Sequence, residues 1–346
     1  MATAFVTGGS GFIGGRAIER LRAEGWDVRA LARSEAAVKR VRELGAEPVA
    51  GDLDDVAALR TGADAVDVVL HCAAKADDWG APEEFERVNV RGTENVLAAA
   101  RDAGARRVVH VGTEAALMAG QPLVDIDEDT PLRPDSAALY PATKAKAELA
   151  VRAADGRTTP AAARRSGQEG RGRPSRRRLE TVVIRPRFVW GKGDTTLVPV
   201  LVELVDSGRF RWIGGGTHLT AITHVDNAVE GLWLGATKAP AGGVYFVTDG
   251  DPVVFKEFVG ALIATQGVRT PDKTIPLGVA KAAAAASEGA WRALKRPGHP
   301  PLTRFAVWAS GMECTIDISR ARRDLGYEPV KDQATGLAEM RQAKAA

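Results

Sequence analysis

Cysteine is almost absent from this 346-residue chain, and long hydrophobic runs are lacking. Cys72 and Cys314 lie far apart, without the spacing of a metal site or a disulfide framework, which fits a reducing compartment. No apolar run approaches the ~20 residues of a membrane span, and no basic segment opens the chain. We therefore expect a cytoplasmic protein with neither a signal peptide nor a membrane span.

A basic face for nucleic acid is also lacking, although the net charge is +3. The excess lies in residues 155–180, where eight arginines stand against three acidic residues, so the rest of the chain is close to neutral. The segment Asp155–Arg178 has almost no large apolar residue and no aromatic residue for base stacking. We interpret it as a flexible insertion and expect no nucleic-acid partner. The five histidines show no metal-ligand spacing, so no metal is expected.

Short apolar strands alternate with helical patterns in the first half of the chain. The predicted strands are Ala2–Thr7, Asp27–Ala32, Pro48–Ala50, Val66–Ala73, Arg107–Gly112 and Thr181–Arg185. The predicted helices are Phe12–Glu24, Glu83–Ala103 and Ala138–Ala154. This alternation is typical of an α/β fold with a doubly wound parallel sheet.

A glycine-rich turn follows the first predicted strand. Glycines at this place allow the backbone to approach a pyrophosphate at the helix N-terminus. Such a triplet is weak evidence alone, but here it opens the first strand–helix unit. We therefore predict nucleotide binding by Gly8, Gly11, Phe12, Ile13 and Gly14.

The second predicted strand ends in Arg33 and Ser34, without an acidic residue. An acid at this place binds the free ribose of NAD, whereas arginine accommodates the 2′-phosphate of NADP. We favour NADP over NAD, although Arg33 could also be an ordinary surface residue. Further cofactor contacts are expected from residues after the third and fourth strands: Asp52, Leu53, Ala73, Ala74 and Lys75.

Tyr140 and Lys144 are four residues apart on a predicted helix and therefore share one face. We expect the Lys144 ammonium to lower the pKa of Tyr140, so that Tyr140 exchanges a proton with a carbonyl or alcohol oxygen. Thr113 ends the fifth strand, where its hydroxyl would hold the substrate oxygen. We predict that these three residues form the catalytic group, and that Tyr140 and Lys144 also contact the cofactor.

Three other polar residues have either a functional or a structural interpretation. Asn89 would either order its helix or a water near Lys144, or have a structural role. His224 and Asp226 are interpreted as structural rather than catalytic.

Together these stretches resemble the extended short-chain dehydrogenase/reductases, the NAD-dependent epimerase/dehydratase family. The matching pieces are TGGSGFIG, GDL, HCAAK, VNVRGTENV, VHVGT, YPATK, IRPRFVWGKGD, THVDN, YFVTDG and RRDLGY. The chain is most similar to the 3β-hydroxysteroid dehydrogenase-like branch, which includes steroid and sterol dehydrogenases and reductases of long-chain 2-alkyl-3-oxo acids. The resemblance implies nucleotide binding by Gly8, Gly11, Gly14 and Asp52, and catalysis by Thr113, Tyr140 and Lys144.

Two departures from sibling families narrow the expected substrate. Nucleotide-sugar dehydratases usually carry two acids after the catalytic threonine, but here Glu114 is followed by Ala115. Nucleotide-sugar epimerases usually carry an arginine where this chain has His218–Thr223, a stretch without lysine or arginine. An apolar carbonyl or alcohol, steroid-like or 3-oxo acid-like, is therefore expected.

The resemblance implies a Rossmann-like NADP-binding domain over residues 1–188, with the insertion at 155–178 and strands from about 223–249 returning to it. Residues 189–222 and 251–330 are expected to form a smaller substrate-binding part. The expected activity is NADP(H)-dependent hydride transfer. The alternatives are a nucleotide-sugar epimerase with tightly bound NAD and a non-catalytic NADP-sensing protein. A homodimer is left open.

Overall fold

The structure, a computed structural model, describes residues 1–156 and 178–345. In chain order its strands are β1 (Thr3–Thr7), β2 (Asp27–Ala32), β3 (Glu47–Ala50), β4 (Val68–His71), β5 (Arg107–Val111), β6 (Leu123–Ile126), β7 (Glu180–Pro186), β8 (Val189–Trp190), β9 (Trp212–Ile213), β10 (Leu219–Thr220), β11 (Thr223–His224), β12 (Val244–Val247), β13 (Val253–Val254), β14 (Thr274–Ile275) and β15 (Cys314–Ile316). Its helices are α1 (Phe12–Ala23), α2 (Glu35–Glu43), α3 (Val56–Ala63), α4 (Pro82–Phe85), α5 (Gly92–Ala103), α6 (Leu139–Ala154), α7 (Leu197–Asp206), α8 (Val225–Thr237), α9 (Phe255–Ala264), α10 (Leu277–Ala293), α11 (Arg304–Gly311), α12 (Ser319–Leu325) and α13 (Gln333–Ala345).

A parallel sheet forms the centre of the fold, with strands in the order β12-β7-β5-β4-β1-β2-β3. Valines fill β4 and β5, and both strands are buried, as expected of strands covered on both faces. Helices α1, α2 and α8 pack on one face of the sheet, and α3, α5 and α6 pack on the other. The predicted doubly wound, Rossmann-like fold is confirmed.

The strand order reverses between β1 and β4, which pair with each other while the chain proceeds from β1 to β2 on the other side. In open α/β sheets, ligands bind at the carboxyl ends of the strands beside such a reversal. At this edge β1 ends in Thr7 and β4 ends in His71. The predicted glycine turn, Ala73 and Lys75 therefore lie around one crevice.

A smaller part surrounds the carboxyl edge of the sheet. It contains a second sheet in the order β13-β10-β15-β6 and the strand pairs β11–β8 and β14–β9. Its core holds Trp190, Trp212, Phe255 and Phe258, and Leu337 of α13 packs there as well. Two segments cross between the parts: β6 joins the second sheet, whereas β12 joins the central sheet. Strand β11 pairs with β8 and not with the central sheet.

Helix α10 is rich in alanine and carries Lys281, Glu288 and Arg292. Glu288 is buried and accepts hydrogen bonds from the backbone and side chain of Arg304 at the start of α11. This contact fixes α10 against α11. Among the residues described, no helix combines the length and apolar character needed to cross a membrane.

The helix predicted over Glu83–Ala103 runs without a break from Pro82 to Ala103, but its middle part is π-helical rather than α-helical. Helix α4 ends at Phe85, a π-helical turn occupies Glu86–Arg91, and α5 begins at Gly92. A wider turn of this kind often occurs at functional sites. Here it carries Asn89 toward the loop after β4.

The prediction that the flexible insertion begins at Asp155 is wrong. Asp155 is buried, and its carboxylate accepts a hydrogen bond of 3.0 Å from the backbone nitrogen of Thr181. The next residue, Gly156, donates to the carbonyl oxygen of Leu179 over 2.9 Å. Asp155 is thus ordered because its carboxylate joins the end of α6 to the start of β7. Residues 157–177 lie outside the described residues.

Candidate active site

The glycine turn after β1 has a backbone that only glycine fits. Gly8 has a φ of +71°, and a Cβ added to it would lie 2.7 Å from the backbone nitrogen of Ala73. A Cβ on Gly14 would clash with the carbonyl oxygen of Gly8. The turn therefore packs directly against the loop after β4. This close backbone cradle fits the pyrophosphate of a dinucleotide.

The N-terminus of α1 faces the same crevice. Gly11 is the N-cap residue, has no side chain to cap the helix, and donates to the carbonyl oxygen of Gly8 over 3.0 Å. Phe12 and Ile13 form the first turn of α1 and are half-buried. The first backbone N–H groups of α1 thus have no side-chain cap and can bind an anion.

A cavity of about 770 Å³ opens at the ends of β2 and β3. Arg33 and Ser34 line it, and the Ser34 hydroxyl also accepts a hydrogen bond from the backbone of α2. Asp52 and Leu53 come directly after the lining residues Ala50 and Gly51 in the chain, but they do not line the cavity themselves. The Asp52 carboxylate instead accepts from the backbone of its own turn, and Leu53 is buried.

The loop after β4 is held by Asn89. The Asn89 amide accepts from the backbone nitrogen of Lys75 over 2.7 Å and donates to its carbonyl oxygen over 3.0 Å. It also donates to Thr143 on α6. The Lys75 ammonium is bound by Asp77 at 2.6 Å. Asn89 therefore joins the loop after β4 to α6, which is the structural role that was one of its two interpretations.

Ala73 and Ala74 lie at the start of that loop. Ala73 is half-buried beside the glycine turn, and Ala74 is exposed. Both side chains are small, so this wall of the crevice leaves room for a flat ring. One crevice thus brings together six of the residues predicted to bind the nucleotide: Gly8, Gly11, Phe12, Ile13, Gly14 and Ala73.

Thr113 and Tyr140 are adjacent in the structure. Thr113 follows β5, and Tyr140 lies in the first turn of α6, with its ring 5.3 Å from that of Phe305 on α11. Burial raises the pKa of Tyr140, the charge of Glu114 raises it further, and a hydrogen bond with Thr113 lowers it. The expected lowering of the Tyr140 pKa by Lys144 is therefore wrong for this structure.

Lys144 lies on the same face of α6 as Tyr140, but its ammonium is directed toward the carboxyl end of β5. It donates to the carbonyl oxygen of Val111 over 2.7 Å and lies 3.3 Å from Nε2 of His110. Burial lowers the pKa of Lys144 to about 8, opposed by the charges of Glu148 and Cys72. The ammonium of Lys144 is hydrogen-bonded to the Val111 carbonyl at the end of β5 and not to the phenol of Tyr140. Sequence alone could not place this carbonyl next to Lys144.

Two buried histidines beneath Lys144 were missed by the sequence reasoning. Nδ1 of His71 lies 2.7 Å from the Thr7 hydroxyl, and the rings of His71 and His110 lie 5.2 Å apart. Burial, followed by the charge of Lys144, lowers the pKa of His71 to about 3 and that of His110 well below its usual value. Both rings are therefore neutral. Their signal in the sequence was their shared place at the ends of adjacent strands.

A buried ion pair beside Thr113 was also missed. Nη1 of Arg187 donates to Oε1 of Glu114 over 2.6 Å, and Arg187 is fully buried. Oε2 of Glu114 accepts from the Thr113 hydroxyl over 2.9 Å. The available signal was the acid directly after Thr113, combined with an arginine directly after the carboxyl end of β7.

His224 and Asp226 occupy structural positions. Nδ1 of His224 accepts from the backbone of Asp226 at the start of α8, and Asp226 binds Arg16 on α1 at 2.6 Å. Glu339 lies close to both, but the Lys331 ammonium lies 2.5 Å from it. These contacts join α1, α8 and α13, away from Tyr140.

Comparison with known proteins agrees with this geometry. Residues 5–277 match the 3-beta hydroxysteroid dehydrogenase/isomerase family. A 4-hydroxy-2-methyl-3-oxo-4-farnesyl-3,4-dihydroquinoline-1-oxide ketoreductase of Stigmatella aurantiaca is 44% identical over 98% of this chain and 96% of the relative. A 2-alkyl-3-oxoalkanoate reductase of Stenotrophomonas maltophilia (strain K279a) is 35% identical over 99% of both chains.

Solved structures show the same fold. The protein MoeE5, in complex with UDP-glucuronic acid and NAD, superposes with a TM-score of 0.72 at 23% identity, covering 99% of both chains. The expected resemblance and enzyme class are confirmed. The chain belongs to the 3-beta hydroxysteroid dehydrogenase/isomerase family, which depends on nicotinamide dinucleotides, and is an oxidoreductase of the extended short-chain type.

Proposed function

We propose that this enzyme uses NADPH to reduce an apolar ketone with an alkyl branch on the neighbouring carbon. The observation that carries the proposal is the placement of the Tyr140 phenol beside Thr113, at the carboxyl end of β5 and with Phe305 against its ring. A phenol is protonated at neutral pH and can donate its proton to a carbonyl oxygen that is being reduced. The physiological direction proposed is therefore reduction.

The proposed mechanism divides the work between cofactor and protein. When bound, the cofactor supplies the hydride that reduces the carbonyl carbon. Tyr140 passes its proton to the carbonyl oxygen, and Thr113 positions Tyr140 for that transfer. Lys144 is proposed to hold the nicotinamide ribose from beneath.

The surroundings of Tyr140 favour an apolar substrate. Phe305 contacts its ring, and Trp308 on the same helix is buried with its ring beside Gly120. The nearby guanidinium of Arg187 is engaged by Glu114 and Thr220 and is fully buried. A diphosphate would therefore receive no charge from it.

The alkyl branch of the proposed ketone substrate is inferred from the two relatives. The names of both relatives describe a 3-oxo compound with an alkyl group at carbon 2: a 2-methyl-3-oxo quinoline oxide and a 2-alkyl-3-oxoalkanoate. The two compounds differ in ring and chain but share this reacting unit. We propose that the same unit is the one recognised here.

The preference for NADP is proposed from the cavity at the ends of β2 and β3. Arg33 is exposed at this cavity, and Lys39 and Arg42 of α2 line it together with Glu35 and Glu43. The lining thus carries one more positive than negative charge. Arginine can bind a 2′-phosphate through two charge-assisted hydrogen bonds.

The test is a panel of substrates with the purified protein. NADPH consumption is measured with a 2-alkyl-3-oxo acid, a 3-oxosteroid and an unbranched 3-oxo acid, and a UDP-sugar is supplied without added cofactor. We expect the fastest NADPH oxidation with the 2-alkyl-3-oxo acid. Turnover of the UDP-sugar alone, with none of the ketones reduced, would support the epimerase alternative and contradict the proposal.

A further inference from the structure

The ammonium of Lys144 contacts two acceptors at the carboxyl end of β5. One is the carbonyl oxygen of Val111 at 2.7 Å, and the other is Nε2 of His110 at 3.3 Å. His110 is 1% exposed and Lys144 is 4% exposed. An ammonium has three N–H donors and no acceptor. Two of the three donors are therefore used on β5, and one is left for a ligand.

The contact with Lys144 determines where His110 carries its proton. An ammonium can only donate, so Nε2 accepts, and the proton of the neutral ring is then on Nδ1. Nδ1 has no hydrogen-bond partner among the described residues. A buried N–H without a partner costs stability. Within the described part of the chain, the one hydrogen bond of this ring is thus its bond to Lys144.

His71, directly opposite His110 on β4, has both ring nitrogens paired. Its Nδ1 lies 2.7 Å from the Thr7 hydroxyl, and its Nε2 lies 3.0 Å from the Thr93 hydroxyl. Thr93 donates its own proton to the carbonyl oxygen of Asn89 over 2.7 Å. Nε2 of His71 is therefore the donor to Thr93, and Nδ1 accepts from Thr7. His71 joins β1 to α5 and has no nitrogen left for another partner.

We infer that His110 is a positioning residue for Lys144: its Nε2 accepts one N–H of the ammonium and holds the lysine against β5, so that the third N–H stays available to the cofactor ribose. His110 is buried behind the lysine and acts through it. The inference rests on the cofactor role proposed for Lys144. An acceptor beside a buried ammonium also favours the charged form of the lysine.

Other titratable groups also lie around Lys144, namely Tyr140 and Glu148 on α6, Cys72 after β4, and His71 and His110 at the strand ends. Glu148 is engaged by Arg185 of β7 through hydrogen bonds of 2.9 and 2.5 Å. The phenol and the thiol are neutral, because burial raises the pKa of both. Both imidazoles are neutral, because burial lowers their pKa. The neutral ring of His110 can therefore accept from Lys144 without adding charge.

Two variants separate the acceptor from the ring that carries it. His110→Leu removes the acceptor at similar volume, whereas His110→Gln places an amide oxygen near the position of Nε2. Hydrogen bonds to charged groups are the stronger class, so His110→Leu should lower the pKa of Lys144 by about one pH unit. His110→Gln should leave it near 8. Both variants should lower the melting temperature, because both change a buried strand end.

The first measurement is the NADPH dissociation constant of each variant, relative to the wild type at the same pH. Because His110→Leu leaves less of Lys144 protonated, it should bind NADPH about tenfold more weakly near pH 8 and almost normally near pH 6. His110→Gln should follow the wild type at both values. A loss in His110→Leu that is equal at both values would indicate a purely structural defect and overturn the inference, as would a pH-dependent loss in His110→Gln.

The second measurement needs neither cofactor nor substrate. The free energy of unfolding of each protein is compared across pH with that of the same protein carrying Lys144→Met. The difference rises with pH above the folded-state pKa of Lys144, because the folded protein then binds fewer protons than the unfolded chain. The rise should begin near pH 8 in the wild type and in His110→Gln, and about one pH unit lower in His110→Leu. The same starting pH in all three proteins would overturn the inference.

His71→Leu is the matched control. It removes an equally buried ring from the opposite strand and breaks the contacts with Thr7 and Thr93, so the melting temperature should fall. The starting pH of the rise should nevertheless stay near that of the wild type. A change as large as that of His110→Leu would overturn the specific role of His110. If His110→Leu does not fold, His110→Asn replaces it, because its shorter side chain places the amide near Nδ1 and away from Lys144.

The two proposals fail separately. If Lys144→Met binds NADPH as tightly as the wild type, the proposed cofactor role of Lys144 is contradicted, and the unfolding measurement still decides whether His110 holds the ammonium. If Lys144→Met weakens NADPH binding while His110→Leu keeps the wild-type starting pH, the inference on His110 is overturned and the proposed function stands.

Discussion

The Lys144 ammonium donates to the carbonyl oxygen of Val111 over 2.7 Å, although Tyr140 lies one helical turn away on the same face of α6. The carbonyl comes from the end of β5, and the Lys144 side chain is 4% exposed. A lysine in this position is a buried cation with a partner that does not change charge. Its own protonation is therefore the event that pH can control.

The first prediction concerns the pH dependence of turnover. Burial lowers the pKa of Lys144 to about 8, so the ammonium is present below pH 8 and lost as the pH rises above it. If the cofactor ribose is bound by the ammonium, kcat/KM for NADPH should fall as the pH rises through about 8. Lys144→Arg stays charged over this range, so its residual activity should lack that alkaline limb. A wild-type profile that stays flat to pH 9.5 or so would contradict the assignment of Lys144.

The second prediction concerns stability at the same residue. Because the folded-state pKa of Lys144 lies below its usual value of 10.5, the folded protein binds fewer protons than the unfolded chain between these values. The stability of the wild type relative to Lys144→Met should therefore rise with pH from about 8 to 10.5. The pKa difference corresponds to about 3 kcal/mol at most. Denaturant unfolding of both proteins across this range measures it, and a constant difference would contradict the lowered pKa.

The third prediction concerns cofactor choice. Charge-assisted hydrogen bonds from Arg33 to a 2′-phosphate should give NADPH a preference over NADH of about ten- to a hundredfold, at roughly 1.5–3 kcal/mol per bond. Arg33→Asp should weaken NADPH far more than NADH, since it removes the partner and adds repulsion. Dissociation constants at low salt provide the measurement.

Arg40→Asp is the control for that prediction. Arg40 is exposed on α2, pairs with Glu43 and does not line the cavity, so the same charge change there should leave the selectivity unchanged. Equal affinity of the wild type for both cofactors would contradict the NADP proposal. It would also strengthen the epimerase alternative.

The fourth prediction concerns the insertion. Gly156 bonds to Leu179, so the two ends that flank residues 157–177 are already adjacent. Replacing residues 158–177 with a short Gly/Ser link should leave the melting temperature and NADPH binding nearly unchanged, because that stretch has few core-forming residues. A large fall in melting temperature would show that the segment packs against the protein.

Local patterns were sufficient to predict the sheet and the glycine turn. Alternation of short valine-rich strands with helices determines a parallel sheet, and Gly8 is needed for a turn that the sequence shows directly. The π-helical turn at Glu86–Arg91 could not be predicted, because its residue types do not distinguish i→i+5 from i→i+4 hydrogen bonding. Periodicity describes faces, not hydrogen-bond spacing.

Contacts between distant segments account for the rest. Glu114 and Arg187 are 73 residues apart, and their pairing depends on β5 and β7 lying side by side. The four-residue spacing of Tyr140 and Lys144 correctly indicated a shared face, but not that a carbonyl of β5 would take the ammonium. Asp155 was assigned to a loop by composition, whereas its carboxylate accepts from Thr181 on β7.

The central claim is that Tyr140 donates the proton in an NADPH-dependent ketone reduction. Tyr140→Phe removes the hydroxyl and keeps the ring that contacts Phe305, so folding should be preserved. The measurement is kcat on the ketone reduced fastest by the wild type, together with the NADPH dissociation constant and the melting temperature. We predict a loss of kcat of about 10²- to 10⁴-fold with the other two quantities unchanged. A variant that binds NADPH normally and keeps more than about a tenth of wild-type kcat would contradict the claim.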